Sequence, residues 1–129
     1  MKKQIILLTN LFLFLGTLAL NAQDAQQECN IKYNLFKGDY QSKKYEDAYP
    51  NWIYLMDNCK KLSINVYKLG DKLAQVRFKN AENKTEAAAL VKRVYLQRLE
   101  NFPTIDPAKA HSNYATFLIK NKLASDEEV

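Results

Sequence analysis

Three glycines and three prolines in 129 residues are too few to turn the corners of a many-stranded sheet. Each hairpin there needs Gly, Asn-Gly or Pro to set its backbone. Gly16 sits in an apolar leader, so the remainder has fewer still. The rest is rich in Ala, Leu, Lys, Glu and Gln, which lose little conformational freedom in a helix. The sequence predicts an all-α fold.

The leader decides where that fold works. Lys2 and Lys3 precede an apolar run over Ile5–Leu20, broken only by Thr9, Asn10, Gly16 and Thr17. Leu20-Asn21-Ala22 then offers a small residue before polarity rises at Gln23. Basic, apolar, small and polar in that order is a secretory signal peptide over residues 1–22, cleaved after Ala22. A spanning helix needs about 20 apolar residues, so no membrane span is expected once the signal is removed. No Cys follows the run directly, which argues against a lipid-anchored start. The Asn-Ala-Gln ending looks bacterial, placing the product in the periplasm or at the outer membrane of a Gram-negative cell envelope.

The mature part, 23–129, suits one compact domain. Lys2 and Lys3 leave with the signal, so 19 basic residues become 17 against 14 acidic ones, a net charge of +3. A charge this small and scattered does not call for nucleic acid.

Five helices are expected from spacing and punctuation. The first carries Ile31, Tyr33, Leu35, Phe36 and Tyr40 and ends near Lys43. The second has an apolar stripe of Tyr45, Ala48, Tyr49, Trp52, Leu55, Met56 and Cys59 at intervals of three and four. Pro50 is placed near its first turn, where the missing N–H is tolerated. The third runs from about Ser63 to Ala81, with Val66, Leu69, Gly70, Leu73 and Ala74 on one face. Asn83, with Glu86 three residues on, reads as the N-cap of the fourth, which Pro103 stops. Asp106-Pro107 reads as cap and first residue of the fifth, whose buried face includes Tyr114, Phe117 and Leu118. Short connections make consecutive helices antiparallel neighbours.

Catalytic patterns are absent from the sequence. There is no His-Glu-x-x-His, Gly-rich phosphate loop or Gly-x-Ser-x-Gly elbow, and His111 is the one histidine. No enzyme activity, metal or cofactor is expected. Cys29 and Cys59 are better paired with each other than either is with His111. Their midpoint is residue 44, where the first hairpin should turn, so antiparallel helices return both to one level, roughly 20 Å from the turn. In an exported protein that predicts a disulfide.

A helical repeat explains further features. Tyr33 and Tyr67 are 34 residues apart, as are Leu35 and Leu69, the period of the tetratricopeptide repeat. Lys44-Tyr45-Glu46-Asp47-Ala48 resembles that family's tight turn and opening of the second helix. Trp52 falls where the family places a large aromatic, and Leu69-Gly70 resembles its Leu-Gly pair. Phe36 departs from the small residue expected there, Asp39 from an aromatic and Lys60 from a closing Pro. The resemblance implies a TPR-like right-handed solenoid of two antiparallel hairpins plus a fifth helix. It also implies a concave groove for a protein or peptide partner, lined by Tyr33, Lys37, Tyr40 and Gln41 of the first unit and Tyr67, Asp71 and Gln75 of the second. The expected function is an exported interaction scaffold. The alternative is a small-ligand or glycan-binding protein that stacks sugars on its Tyr/Trp cluster. Ser125–Glu128 reads as a further helix start, which would make the chain the N-terminal part of a longer one. It would also leave the fifth helix a face for self-association.

Overall fold

A computed structural model of the chain describes the backbone of residues 2–123 and the side chains of residues 22–123. The expected helix start at Ser125–Glu128 lies outside the described residues. Within them the chain is all-helical: α1 (Lys2–Gln41), α2 (Tyr45–Asn58), α3 (Asn65–Asn80), α4 (Lys84–Asn101) and α5 (Pro107–Lys120). None of these is long and apolar enough, among the described residues, to cross a membrane. α1 pairs chiefly with α2 and α3 with α4. α2 and, more lightly, α1 join the two hairpins by touching α3, and α5 packs on α4.

The first hairpin turns without glycine. Lys43 takes the left-handed conformation (φ 60°), and the amides of Lys43 and Lys44 donate to the carbonyls of Tyr40 and Asp39 at 3.0 and 2.9 Å. These two bonds satisfy carbonyls that the end of α1 would otherwise leave open. At the opposite end Cys29 and Cys59 are disulfide-bonded, their Cα atoms 5.9 Å apart, in the register expected from a turn at residue 44. Pro50 differs from expectation. α2 begins at Tyr45, so Pro50 lies inside its second turn and deprives the Glu46 carbonyl of its donor.

The two hairpins lock through one small residue and one large one. Trp52 is fully buried, and its indole N–H donates to the Val66 carbonyl at 2.9 Å. The ring lies so close to α3 that a Cβ on Gly70 would stand 2.2 Å from Nε1. Phe36, Leu55, Met56, Val66, Tyr67, Leu73, Val91 and Val94 are the other large side chains that are fully buried. Phe36, at the position where the repeat pattern expects a small residue, is thus core.

The later helices start where their caps stand. Asn83 Oδ1 accepts from the Glu86 amide at 3.1 Å, and Asp106 Oδ1 accepts from the Lys109 amide at 3.2 Å, with Pro107 as the first residue of α5. α3 starts at Asn65, two residues after the expected Ser63. Lys84 Nζ donates to the Phe78 and Lys79 carbonyls at 2.6 and 2.9 Å, a cation at the negative end of α3.

Candidate binding cleft between the hairpins

The residues expected to form a concave groove have unequal fates. Tyr67 is fully buried in the core, and its hydroxyl donates to the Lys60 carbonyl at 2.8 Å. It therefore offers no ring surface to a partner, which corrects its assignment to an open groove. Its edge-on contact with Phe102, ring centroids 5.9 Å apart, gives the reason: the connection after α4 folds back over it. Burial, with the Glu100 carboxylate nearby, pushes its hydroxyl up to about 12 against the opposing pull of Arg93. Tyr33 is half-buried. Its oxygen accepts from Asn65 Nδ2 at 3.3 Å and lies 3.4 Å from Ser63 Oγ, so it ties α1 to the start of α3.

Tyr40 is half-buried between Phe36 and Tyr45, and burial raises its hydroxyl above the usual tyrosine value. Lys37 and Gln41 are exposed. Asp71 accepts from Gln75 Nε2 at 3.1 Å. Burial raises its carboxyl above the usual range, held back by that bond and by Arg98 and Lys72. Asp71 and Gln75 are thus together, while the two tyrosines spaced by 34 residues occupy different environments. Trp52, the sugar-stacking candidate, is fully buried with its N–H occupied and presents no face to a glycan.

A wider opening lies elsewhere among the described residues. A cavity of about 550 Å³ runs between α2 and α4 over the last turns of α3. Tyr49, Val76, Ala81, Ala87 and Leu90 supply its apolar surface, and Glu46, Arg77, Glu86 and Arg93 its charges. Along α4 the lining extends from just before the helix at Asn83 to Arg93, about 15 Å at helical rise. Each end is bridged by an ion pair. Arg77 Nη1 lies 3.0 Å from Glu46 Oε2 at one end, and Arg93 bonds Asp57 at the other. Both acids belong to α2 and both arginines to the α3–α4 hairpin. Arg77 also lies flat over Tyr49, its guanidinium carbon 3.7 Å from the ring centroid, so a cation–π contact orients it.

No family model matches the chain, and neither does any curated protein or solved structure.

The cleft combines apolar side chains with charges that are paired across it. Among the described residues no group of three or more His, Cys, Asp and Glu is placed to bind a metal. Both cysteines are consumed by the disulfide, so neither thiol serves His111. The His111 ring instead shares a 2.8 Å hydrogen bond with the Tyr95 hydroxyl. Sequence reasoning missed the cleft because Tyr49 reads as one more member of the α2 stripe. Arg77 and Arg93 read as solvated charges on separate helices. Their one shared signal is the acid–base complement between α2 and the α3–α4 hairpin, and a sequence does not reveal which charges face each other.

Proposed function

We propose that the mature chain is an exported scaffold of the bacterial cell envelope that holds another protein in the cleft between its two hairpins. The observation that carries this reading is the cleft itself. Its volume is in the range of ordinary binding sites, its lining mixes apolar with polar side chains, and Tyr49 with two arginines, types enriched at protein contacts, are among them. Export is supported by the signal-like leader and by the disulfide, which persists in oxidising compartments.

The finer architecture belongs to the same proposal: a TPR-like right-handed stack with α5 opening a third unit. Two successive antiparallel hairpins support it, as does the close fit of Gly70 under Trp52. Within this reading Lys37, Tyr40 and Gln41 remain available on α1 for secondary contacts, and Asp71 and Gln75 remain half-exposed on α3.

The test is recovery of a partner by the oxidised, tagged mature chain from the cell envelope. Leu90→Arg, placed in the cleft, should abolish recovery of the same protein with thermal stability retained. Recovery unchanged by Leu90→Arg, or binding of a glycan in place of a protein, would overturn the proposal.

A further inference from the structure

Two apolar faces, one on the first helix and one on the last two, carry opposite charge. On α1, at about 100° per residue, Asp24, Ile31, Leu35 and Gly38 share one stripe turned away from the buried Cys29 and Phe36. Ile31 and Leu35 are half exposed, and a Cβ on Gly38 would meet nothing within 4 Å, so the stripe is open to close approach. The charges bordering it are the acids Asp24, Glu28 and Asp39. Lys32 is drawn aside, its Nζ 5.4 Å from the centre of the Tyr54 ring. Glu28 engages the Tyr54 hydroxyl, while Asp24 and Asp39 take part in neither ion pair found among the described residues.

The second face is a groove of about 290 Å³ between α4 and α5, with Ala88, Tyr114, Phe117, Leu118 and Leu123 as its apolar lining. Its charged lining residues are Lys84 and Lys92, and residues 107–123 add Lys109, Lys120 and Lys122 without one acid. Lys84 is committed to the Phe78 and Lys79 carbonyls, which leaves its charge unneutralised. Lys92 and Lys122 are exposed and hold no carboxylate among the described residues. α1 packs chiefly on α2 and α5 on α4, so the fold does not bring the two faces together within one chain.

We infer that the α4–α5 groove receives α1 of a second copy of this chain, so that copies associate head to tail. Charge selects this pairing over the symmetric ones. Two α1 stripes face to face would oppose carboxylates, and two grooves would oppose ammonium groups, whereas stripe on groove opposes unlike charges. The lengths agree: Ile31 to Gly38 spans about 10 Å and Lys84 to Lys92 about 12 Å at helical rise. Ile31 and Leu35 then cover the groove's apolar lining, Gly38 lets the helices approach, and Asp24 and Asp39 meet the lysines. The pairing is heterologous, so every added copy leaves one stripe and one groove open, and association grows stepwise with concentration. Its charges are exposed, so it weakens with salt. It does not depend on the cleft between the hairpins.

A charge swap followed by sedimentation of the oxidised mature chain tests this. One variant reverses the stripe (Asp24→Lys with Asp39→Lys) and the other reverses the groove (Lys92→Glu with Lys122→Glu). Asp24, Lys92 and Lys122 are exposed and Asp39 is half-buried, so both variants should melt as the parent does. The parent should associate with rising concentration, and less so when salt shortens the screening length from about 10 to about 3 Å. Each variant alone should associate roughly tenfold more weakly, and an equimolar mixture should recover the parent's behaviour, because the reversed stripe of one then fits the reversed groove of the other. Variants that associate like the parent, or a mixture that stays monomeric, would overturn the head-to-tail pairing. Asp126, Glu127 and Glu128 of the same chain are the competing occupants, so the chain ending at Leu123 is measured as well. Association that appears only in that shortened chain would assign the groove to the chain's own acidic end, and a monomer in both would leave the second copy without support; either result overturns the inference.

Discussion

Gly70 and Trp52 form the contact most sensitive to a single atom. A methyl group at position 70 would overlap the indole at Nε1, Cε2 and Cζ2, and the indole is held by its bond to the Val66 carbonyl. Helix propensity alone would make Gly70→Ala stabilising. Here overpacking wins, because the ring is fully buried and tied to Val66, and the variant should lose about 1–3 kcal/mol in chemical denaturation. A variant as stable as the parent would show that Trp52 can move. Tyr67 is a second diagnostic residue. Its phenol stays neutral to about pH 12 in the folded chain but ionises near pH 10 when unfolded. Its stabilising contribution is therefore complete below pH 10 and declines from there to pH 12, by about 1.4 kcal/mol per pH unit. Urea melts of Tyr67→Phe should show a correspondingly shallower alkaline decline than the parent. They should also show a loss of about 1 kcal/mol at neutral pH for the missing bond to Lys60. Truncation to Ala would instead remove a core ring, at about 3–5 kcal/mol.

At the scale of elements, the first hairpin is fixed at both ends by different means. At the turn, Lys43 occupies a left-handed conformation that costs a side-chain-bearing residue about 1–2 kcal/mol. Lys43→Gly should relieve this and, after the greater freedom of glycine in the unfolded chain is subtracted, raise the unfolding free energy by roughly 0.5–1 kcal/mol. A destabilised variant would mean that the lysine side chain makes a compensating contact. At the open end the disulfide closes a separation of 30 residues, which stabilises by about 3.6 kcal/mol in the chain-entropy model. The oxidised, denatured protein should contain no free thiols. The Cys29→Ser, Cys59→Ser double variant should exchange amide hydrogens faster from Cys29 to Tyr33 while the α3–α4 pair changes little.

Much of this level was legible from residue types alone. Asn83 and Asp106 carry cap chemistry in their own side chains, Pro103 and Pro107 delimit helices by covalent structure, and the cysteine spacing encodes the register. Pro50 and Lys43 were not legible in this way. Their positions depend on where α2 begins and on a turn conformation that tertiary packing selects against local preference. The groove was read even less well. A 34-residue spacing equates Tyr33 with Tyr67, but Tyr33 is half-buried against the start of α3 while Tyr67 is covered by Phe102. Identical residues at identical spacing thus acquire different burial, because a later segment of the chain packs over one and not the other.

Over the whole molecule, the distribution of uncovered apolar side chains bears on assembly. Ile31 and Leu35 on α1 are 51% and 49% exposed. Leu96 on α4, Ile105 in the connection to α5, Ile119 on α5 and Leu123 beyond it are exposed by 38–60%. None of the large exposed apolar residues, among the described residues, lies on α2 or α3. These exposures on α1 and along α4–α5 leave apolar surface uncovered on the described helices. Residues 23–129 alone should therefore self-associate or bind a hydrophobic dye, with α5 as the principal contact. Ile119→Lys with Leu123→Lys should shift sedimentation toward the monomer and reduce dye binding without lowering the melting temperature, since both side chains are already wet. Ile31→Lys with Leu35→Lys asks the same of α1. If association persists in the α5 pair and disappears in the α1 pair, the exposed face that matters is the first one, and α5 is sufficiently covered as it stands. A parent that sediments as a monomer, melts cooperatively and binds no dye would show that the five helices need no further cover.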